Sequence, residues 1–448
     1  MNLVLVLVIA VALVVVASHR AGPWGGPLSL VAAYLGLQLV VRPLMLITGL
    51  DTPFLPNLSS TADPDELLTD TLVVAAVWAV SMAVAVAAAA QASSSVTVRS
   101  RRHPAHDPGT RRGDAVVRAA TLSFAAIAVV GTAILIARYG GYFGFTRAVK
   151  LEKVDAPFVV RTCALWAAVL GAAVAAQAAL GGFRGVAWRY GLVAVTAAGA
   201  SFSWGARDAA VLPLIVATAM WLWSRRARLS AGTVVRVGVA VVIVLTAAFG
   251  LRLVRDDRTA GAAGLVSSSV ARRASVSVNA TMFDALMVVR SHWPSAADHV
   301  GMQYFLPFSD TGAAERAPSF NVEVARLSNP TRANGTPATA AGDWYAALGM
   351  AGVVVGGVLS GLLLLMLERW RLWLARWSVA ASVAISVVFA FSLLSTGIRA
   401  NTLDRLDAFL LPLVVIVGAW QWWLGGASPR RPQTNGEGAL GDHGGDDT

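Results

Sequence analysis

Along this chain the apolar positions come in near-continuous blocks of about 18–24 residues, divided by short polar stretches. A strand or an amphipathic surface helix would alternate polar and apolar positions at a period of 2 or 3.6. An unbroken block of about 20 apolar residues is instead the length that crosses a bilayer as a helix. On that criterion the pattern predicts about eleven spans, at 2–18, 27–49, 67–91, 115–137, 158–180, 189–204, 208–223, 235–253, 343–366, 377–396 and 406–424. The first block has neither a basic leader nor a clear cleavage site, so it reads as a span and not a signal peptide.

The expected fold class is all-α: a polytopic membrane helix bundle over 1–424 with a low-hydrophobicity, disordered tail at 425–448. Between the eighth and ninth spans lies a polar interval of about ninety residues, 254–342. A structureless loop of that length is improbable, so an extracytoplasmic loop subdomain is expected there. Within it, Ser269–Pro294 has apolar residues at Val276, Met282, Phe283, Leu286 and Val289, near helical spacing. This predicts an amphipathic helix over 269–290, lying on the membrane or capping the bundle.

Composition agrees with a membrane protein: 56% of the 448 residues are hydrophobic, and mean hydropathy is +0.64. The single cysteine, Cys163, leaves no internal disulfide. The basic residues are nearly all arginine, with lysine only at positions 150 and 153. Abundant Ala, Val and Arg suit a GC-rich bacterial genome. The formal charge of +11 needs no nucleic acid to explain it, because cytoplasmic loops and lipid phosphates account for it.

Charge also orients the chain. The arginine-dense intervals hold Arg99, Arg101, Arg102, Arg111 and Arg112; Arg184 and Arg189; Arg225, Arg226 and Arg228; Arg369, Arg371 and Arg376; and Arg430 and Arg431. The positive-inside rule makes these cytoplasmic, with the N-terminus outside and the tail inside, as expected of a multi-pass protein of the bacterial cytoplasmic membrane. The intervals then left outside still carry many basic residues, among them Arg207, Arg255, Arg258, Arg290 and Arg399. That surplus runs against the topological bias. Snorkelling to headgroups or pairing with acids is one explanation. The other is an anionic ligand, since the guanidinium fork binds phosphate oxygens in pairs.

Arg207 stands at a hairpin with almost no loop, beside Asp208, which could pair with it or cap the next helix. Asp256 and Asp257 lie among Arg252, Arg255 and Arg258 and are expected to pair with them; no other clustered ligand suggests a metal. Arg290, His292 and His299 flank Trp293-Pro294. Aromatics beside polar groups suit sugar faces, and histidine can move a proton near neutral pH. There is no P-loop and no dinucleotide fingerprint, so no cofactor is expected.

A long outer interval ending in Thr336-Pro337-Ala338-Thr339, then Gly342-Asp343-Trp344-Tyr345, then Leu348-Gly349-Met350-Ala351-Gly352, resembles the O-antigen polymerase and ligase superfamily. There the corresponding pattern carries Glu where this chain has Asp343 and Phe where it has Leu348. Tyr139–Phe145 (YGGYFGF), Gly205–Asp208 (GARD) and the Arg290-to-Gly301 spacing are similar too. The resemblance covers about 115–424. It implies a glycosyltransferase that polymerises oligosaccharide repeat units carried on undecaprenyl pyrophosphate. In that reading Arg207 and Arg290 serve in catalysis and Arg255, Arg258 and Arg399 in binding the donor. His292, His299 or Asp343 would take the acceptor proton. Trp344 and Tyr345 would touch sugar, with an interfacial aromatic belt as the alternative. Gly352-x-x-x-Gly356 and Gly357-x-x-x-Gly361 allow close helix packing. The implied partners are lipid-linked donor and acceptor, the bilayer, a chain-length regulator and a flippase. The rivals are a ligase, a polyprenyl-phosphate-sugar glycosyltransferase using Asp51, Asp63, Asp65 and Glu66, and a lipid-linked sugar transporter. A transporter would show repeat symmetry and interrupted spans, and the apolar blocks display neither.

Overall fold

A computed structural model describes residues 1–18, 27–49, 63–92, 108–142, 144–145, 148, 158–203, 208–224, 283–292, 339–396 and 400–426. The described residues are helical almost throughout and contain no strand. In hydrocarbon no water can satisfy a backbone N–H or C=O, so a helix, which pairs them within itself, is the expected solution.

The helices in chain order are α1 (Asn2–Ser18), α2 (Pro27–Gly36), a π-helical turn (Leu37–Val41), α3 (Arg42–Ile47), α4 (Pro64–Ala92), α5 (Pro108–Arg138), α6 (Phe158–Leu180), α7 (Arg184–Ser203) and α8 (Asp208–Ser224). A short α9 occupies 283–292. α10 (Ala340–Leu374), α11 (Val379–Thr396) and α12 (Ala400–Gly426) follow. Pro64–Gln91, Arg111–Arg138, Val159–Leu180 and Ala340–Leu374 are long and apolar enough to cross a membrane. Shorter apolar helices fall at Asn2–Ala17, Gln38–Ile47, Leu212–Trp221, Val379–Ala390 and Leu410–Leu424. The block at 235–253 and most of the 254–342 interval lie outside the described residues.

Two cores organise the bundle. The first gathers α1, α2, α4, α9 and α10 as far as Leu364, with Ala390 of α11. The second gathers α5, α6, α7, α8, α11 and α12, with Leu367 and Leu374 of α10. Glycine makes the seam between α4 and α10. A Cβ on Gly357 would stand 2.7 Å from the Trp78 carbonyl, and one on Gly361 would stand 2.7 Å from that of Met82. The predicted small-residue contact therefore brings these two backbones together. Large apolar side chains left exposed, such as Val354, Leu359, Leu362 and Met366 on α10, belong to a lipid-facing surface.

Helix ends meet in two groups. At one end the Asp114 carboxylate of α5 accepts hydrogen bonds from Gln177 of α6 (3.0 Å) and from Ser378 (2.8 Å). Ser378 in turn caps α11 by accepting from the Ala381 amide. Arg112 donates to the Gln421 carbonyl of α12 at 3.3 Å. Arg111, Arg184, Arg369 and Arg376, from the arginine-dense intervals, belong to these same helix termini. At the other end the starts of α4 and α10 meet α9. There Asp63 precedes Pro64 at the first helical position, and Asp65 and Glu66 occupy the first turn of α4, where the helix dipole favours acids.

Two helices are interrupted, which the apolar blocks did not display. The π-turn separates α2 from α3. In α10, Gly349 adopts φ 63°, ψ −148°, a backbone state essentially confined to glycine. A straight helix would hold residues 344 and 356 about 18 Å apart along its axis. Instead the Trp344 indole lies against the Gly356 Cα and the Trp344 carbonyl against that of Gly352. The chain doubles back at Gly349, so 340–348 packs on the start of the next segment.

Candidate functional site

The site grows from α9, whose sequence around Phe283–His292 is apolar except for Asp284, Arg290 and its last two residues. An apolar run of this length is too short to span and too apolar to lie in water. Residues 283–289 are accordingly buried on every side, in the core shared by α1, α2, α4 and α10. Of the helix expected to lie on the membrane or cap the bundle, residues 283–289 do not lie on a surface: a stretch apolar all round goes into the protein. Residues 269–282 of the expected helix lie outside the described residues.

Each charged residue of α9 meets a partner of opposite sign. Asp284 accepts from Arg42 twice, from Nε at 3.3 Å and Nη2 at 3.0 Å. Both side chains are 2% exposed. A charge so placed is tolerated only when paired and hydrogen-bonded. Arg290, further along the helix, donates from Nη2 to Oδ2 of Asp70 at 2.7 Å, with side-chain exposures of 22% and 41%. The Arg290 guanidinium carbon also lies 5.5 Å from the centroid of the Tyr345 ring, over its face. At the end of the helix, the His292 Nδ1 is 3.1 Å from the Val288 carbonyl and 3.0 Å from the Ser291 hydroxyl. A carbonyl can only accept, so the Val288 contact is a hydrogen bond when Nδ1 carries a proton.

On α10, Thr339 caps the helix by accepting from the Gly342 amide at 3.4 Å. Asp343 then falls in the first turn, 4% exposed. Trp344 and Tyr345 are 5% and 4% exposed. They are packed inside the chain, and so do not form a belt of rings splayed toward headgroups. Among the expected site residues, then, Arg290, His292, Asp343, Trp344 and Tyr345 are carried by two helices, α9 and α10, of one core. Arg207, Arg255, Arg258, His299 and Arg399 lie outside the described residues, as do Asp256 and Asp257. Among the described residues no three His, Cys, Asp or Glu side chains converge as a metal site would require.

Four residues that the sequence did not single out belong here. Asp70 and Asp284 hold Arg290 and Arg42. Gln38, in the π-turn and fully buried, finds no hydrogen-bond partner for either end of its amide among the described residues. Arg42 and Gln38 carried a legible signal, namely polar side chains within an apolar block. Asp284 did not, because it stands in the polar 254–342 interval outside the predicted blocks. Asp70 did not, because an acid near a helix start is ordinary.

No family model, curated protein or solved structure matches the chain. The likeness to the O-antigen superfamily rests on its motifs alone.

Proposed function

We propose that this protein is a membrane glycosyltransferase that polymerises oligosaccharide repeat units carried on polyprenyl pyrophosphate. In this reading the bundle has about eleven spans, its N-terminus and the 254–342 subdomain are outside the bacterial cytoplasmic membrane, and its tail is cytoplasmic. The observation that carries the proposal is a partly exposed arginine set over an aromatic ring at one end of the bundle, Arg290 over Tyr345, with His292 two residues further along the same helix. The buried helix α9 carries Arg290 and His292 and α10 carries Tyr345, so a ligand would meet preset groups.

The reaction is a displacement at the donor's anomeric carbon. An acceptor hydroxyl oxygen forms the new bond, and the carbon–oxygen bond to pyrophosphate breaks with its electron pair leaving on pyrophosphate. Arg290, with Arg207, Arg255, Arg258 and Arg399 as further candidates, would stabilise the charge that develops there. His292 through Nε2, or His299 or Asp343, would take the hydroxyl proton. The activated donor bond supplies the driving force, so neither nucleotide nor metal is invoked. Trp344, buried against Gly356, supports the shape of this region.

The test is purified protein in bilayers with a lipid-linked repeat, products being resolved by size. A ladder is expected. Arg207→Lys and Arg290→Lys should each lose on the order of 10²–10³ in rate, because a point charge cannot replace a fork. Wild-type ladders from both variants would make these arginines headgroup anchors. The break at Gly349 and the π-turn favour one second reading, a transporter of lipid-linked sugars, since interrupted helices form such sites. That reading predicts transbilayer movement of the intact repeat and no ladder.

A further inference from the structure

Two Arg–Asp pairs sit on the same short helix and differ in kind. Arg42–Asp284 joins two nitrogens to two oxygens in complete burial. Arg290–Asp70 joins one nitrogen to one oxygen, with both side chains partly exposed. A desolvated, doubly bonded pair is a fixed part of the fold, because neither charge can leave its partner without being stranded. A partly exposed, singly bonded pair adds little to stability and is readily exchanged, because water can take either member.

The guanidinium of Arg290 is nonetheless held in place. Its helix is buried over 283–289, and its central carbon lies over the Tyr345 ring at 5.5 Å from the centroid. What changes on exchange is therefore the anion and not the position of the cation. A phosphate ester, whether from pyrophosphate or from a lipid headgroup, can take two parallel hydrogen bonds from a guanidinium where Asp70 takes one.

We propose that Asp70 is a positioning residue that occupies the anion site of Arg290 between turnovers and is displaced from it by the donor pyrophosphate. This rests on the proposed function's reading of Arg290 as a pyrophosphate ligand. Asp70 keeps the fork extended over Tyr345 while the site is empty. Its negative charge then competes with the arriving phosphate and assists departure of the product pyrophosphate.

The test measures binding of farnesyl pyrophosphate to the full chain in nanodiscs, for wild type, Asp70→Asn, Asp70→Glu and Arg290→Ala. Removing a competing charge at this range should tighten binding by roughly three- to tenfold in Asp70→Asn, with Asp70→Glu near wild type. In the polymerisation assay Asp70→Asn should lower both KM and kcat, since tighter product retention slows turnover. A merely structural role would lower Tm and leave the affinity unchanged or weakened. Unchanged or weaker binding in Asp70→Asn, with binding lost in Arg290→Ala, overturns the exchange and spares Arg290 as ligand. Wild-type binding by Arg290→Ala overturns the reading of Arg290 itself. Inorganic pyrophosphate and phosphatidylglycerol against phosphatidylcholine discs form the remaining arms. If Asp70→Asn tightens retention of phosphatidylglycerol alone, the exchanging anion is a headgroup and the pyrophosphate assignment fails.

Discussion

The Arg42–Asp284 pair offers the sharpest test of the architecture. Asp284→Asn removes one charge and leaves Arg42 with its own, 2% exposed, in a core of Leu, Val and Ala side chains. Uncompensated charge in such a place typically costs about 3–5 kcal/mol. At about 1.4 kcal/mol per factor of ten, the folded-to-unfolded ratio should fall by roughly 10²–10³·⁵. The double variant Arg42→Met/Asp284→Leu keeps similar volume and removes both charges, and it should recover most or all of that loss. The wild type, the two single variants and the double variant form a thermodynamic cycle, read by unfolding in mixed micelles of mild detergent and SDS. The residues are in contact, so a coupling well above the additive error of about 0.5 kcal/mol is expected. If Asp284→Asn is as stable as wild type within about 1 kcal/mol, then α9 does not lie desolvated in the bundle. The same result would remove the rigid carrier on which the reading of Arg290 depends.

Gly357→Val should destabilise by about 1–3 kcal/mol in the same assay, because its Cβ would stand only 2.7 Å from the Trp78 carbonyl oxygen and 2.8 Å from the Ser81 Cβ. Gly349→Ala should cost about 1–3 kcal/mol, since φ 63° with ψ −148° is nearly closed to a residue bearing Cβ. A neutral result would mean that 340–348 does not double back. Cysteines at Ser94 and Ser230 should be protected from impermeant reagents in spheroplasts, while those at Ser268 and Ser309 react; the opposite pattern reverses the orientation.

Secondary structure was legible in the sequence because the bilayer's demand is local. Each block must satisfy its own backbone, and only a helix does so. Ten of the predicted blocks contain helices among the described residues, and the small-residue pattern of Gly357 and Gly361 announced a close approach before any partner was known. The partner itself, α4, had to be found in three dimensions. So did the faces: Trp344 and Tyr345 read as sugar contacts or as an interfacial belt, whereas the structure buries both, with the reversal at Gly349 folding Trp344 back on its own helix. The 269–290 segment read as amphipathic from the helical spacing of Val276, Met282, Phe283, Leu286 and Val289, and Asp284 and Arg290 gave no hint of their partners. Packing shows each charge answered from elsewhere, across 242 and 220 residues of chain. No local pattern encodes such pairings. They follow from which helix ends the bundle brings together, and the energy that selects them, desolvation against Coulomb attraction, exists only once the core has closed around them.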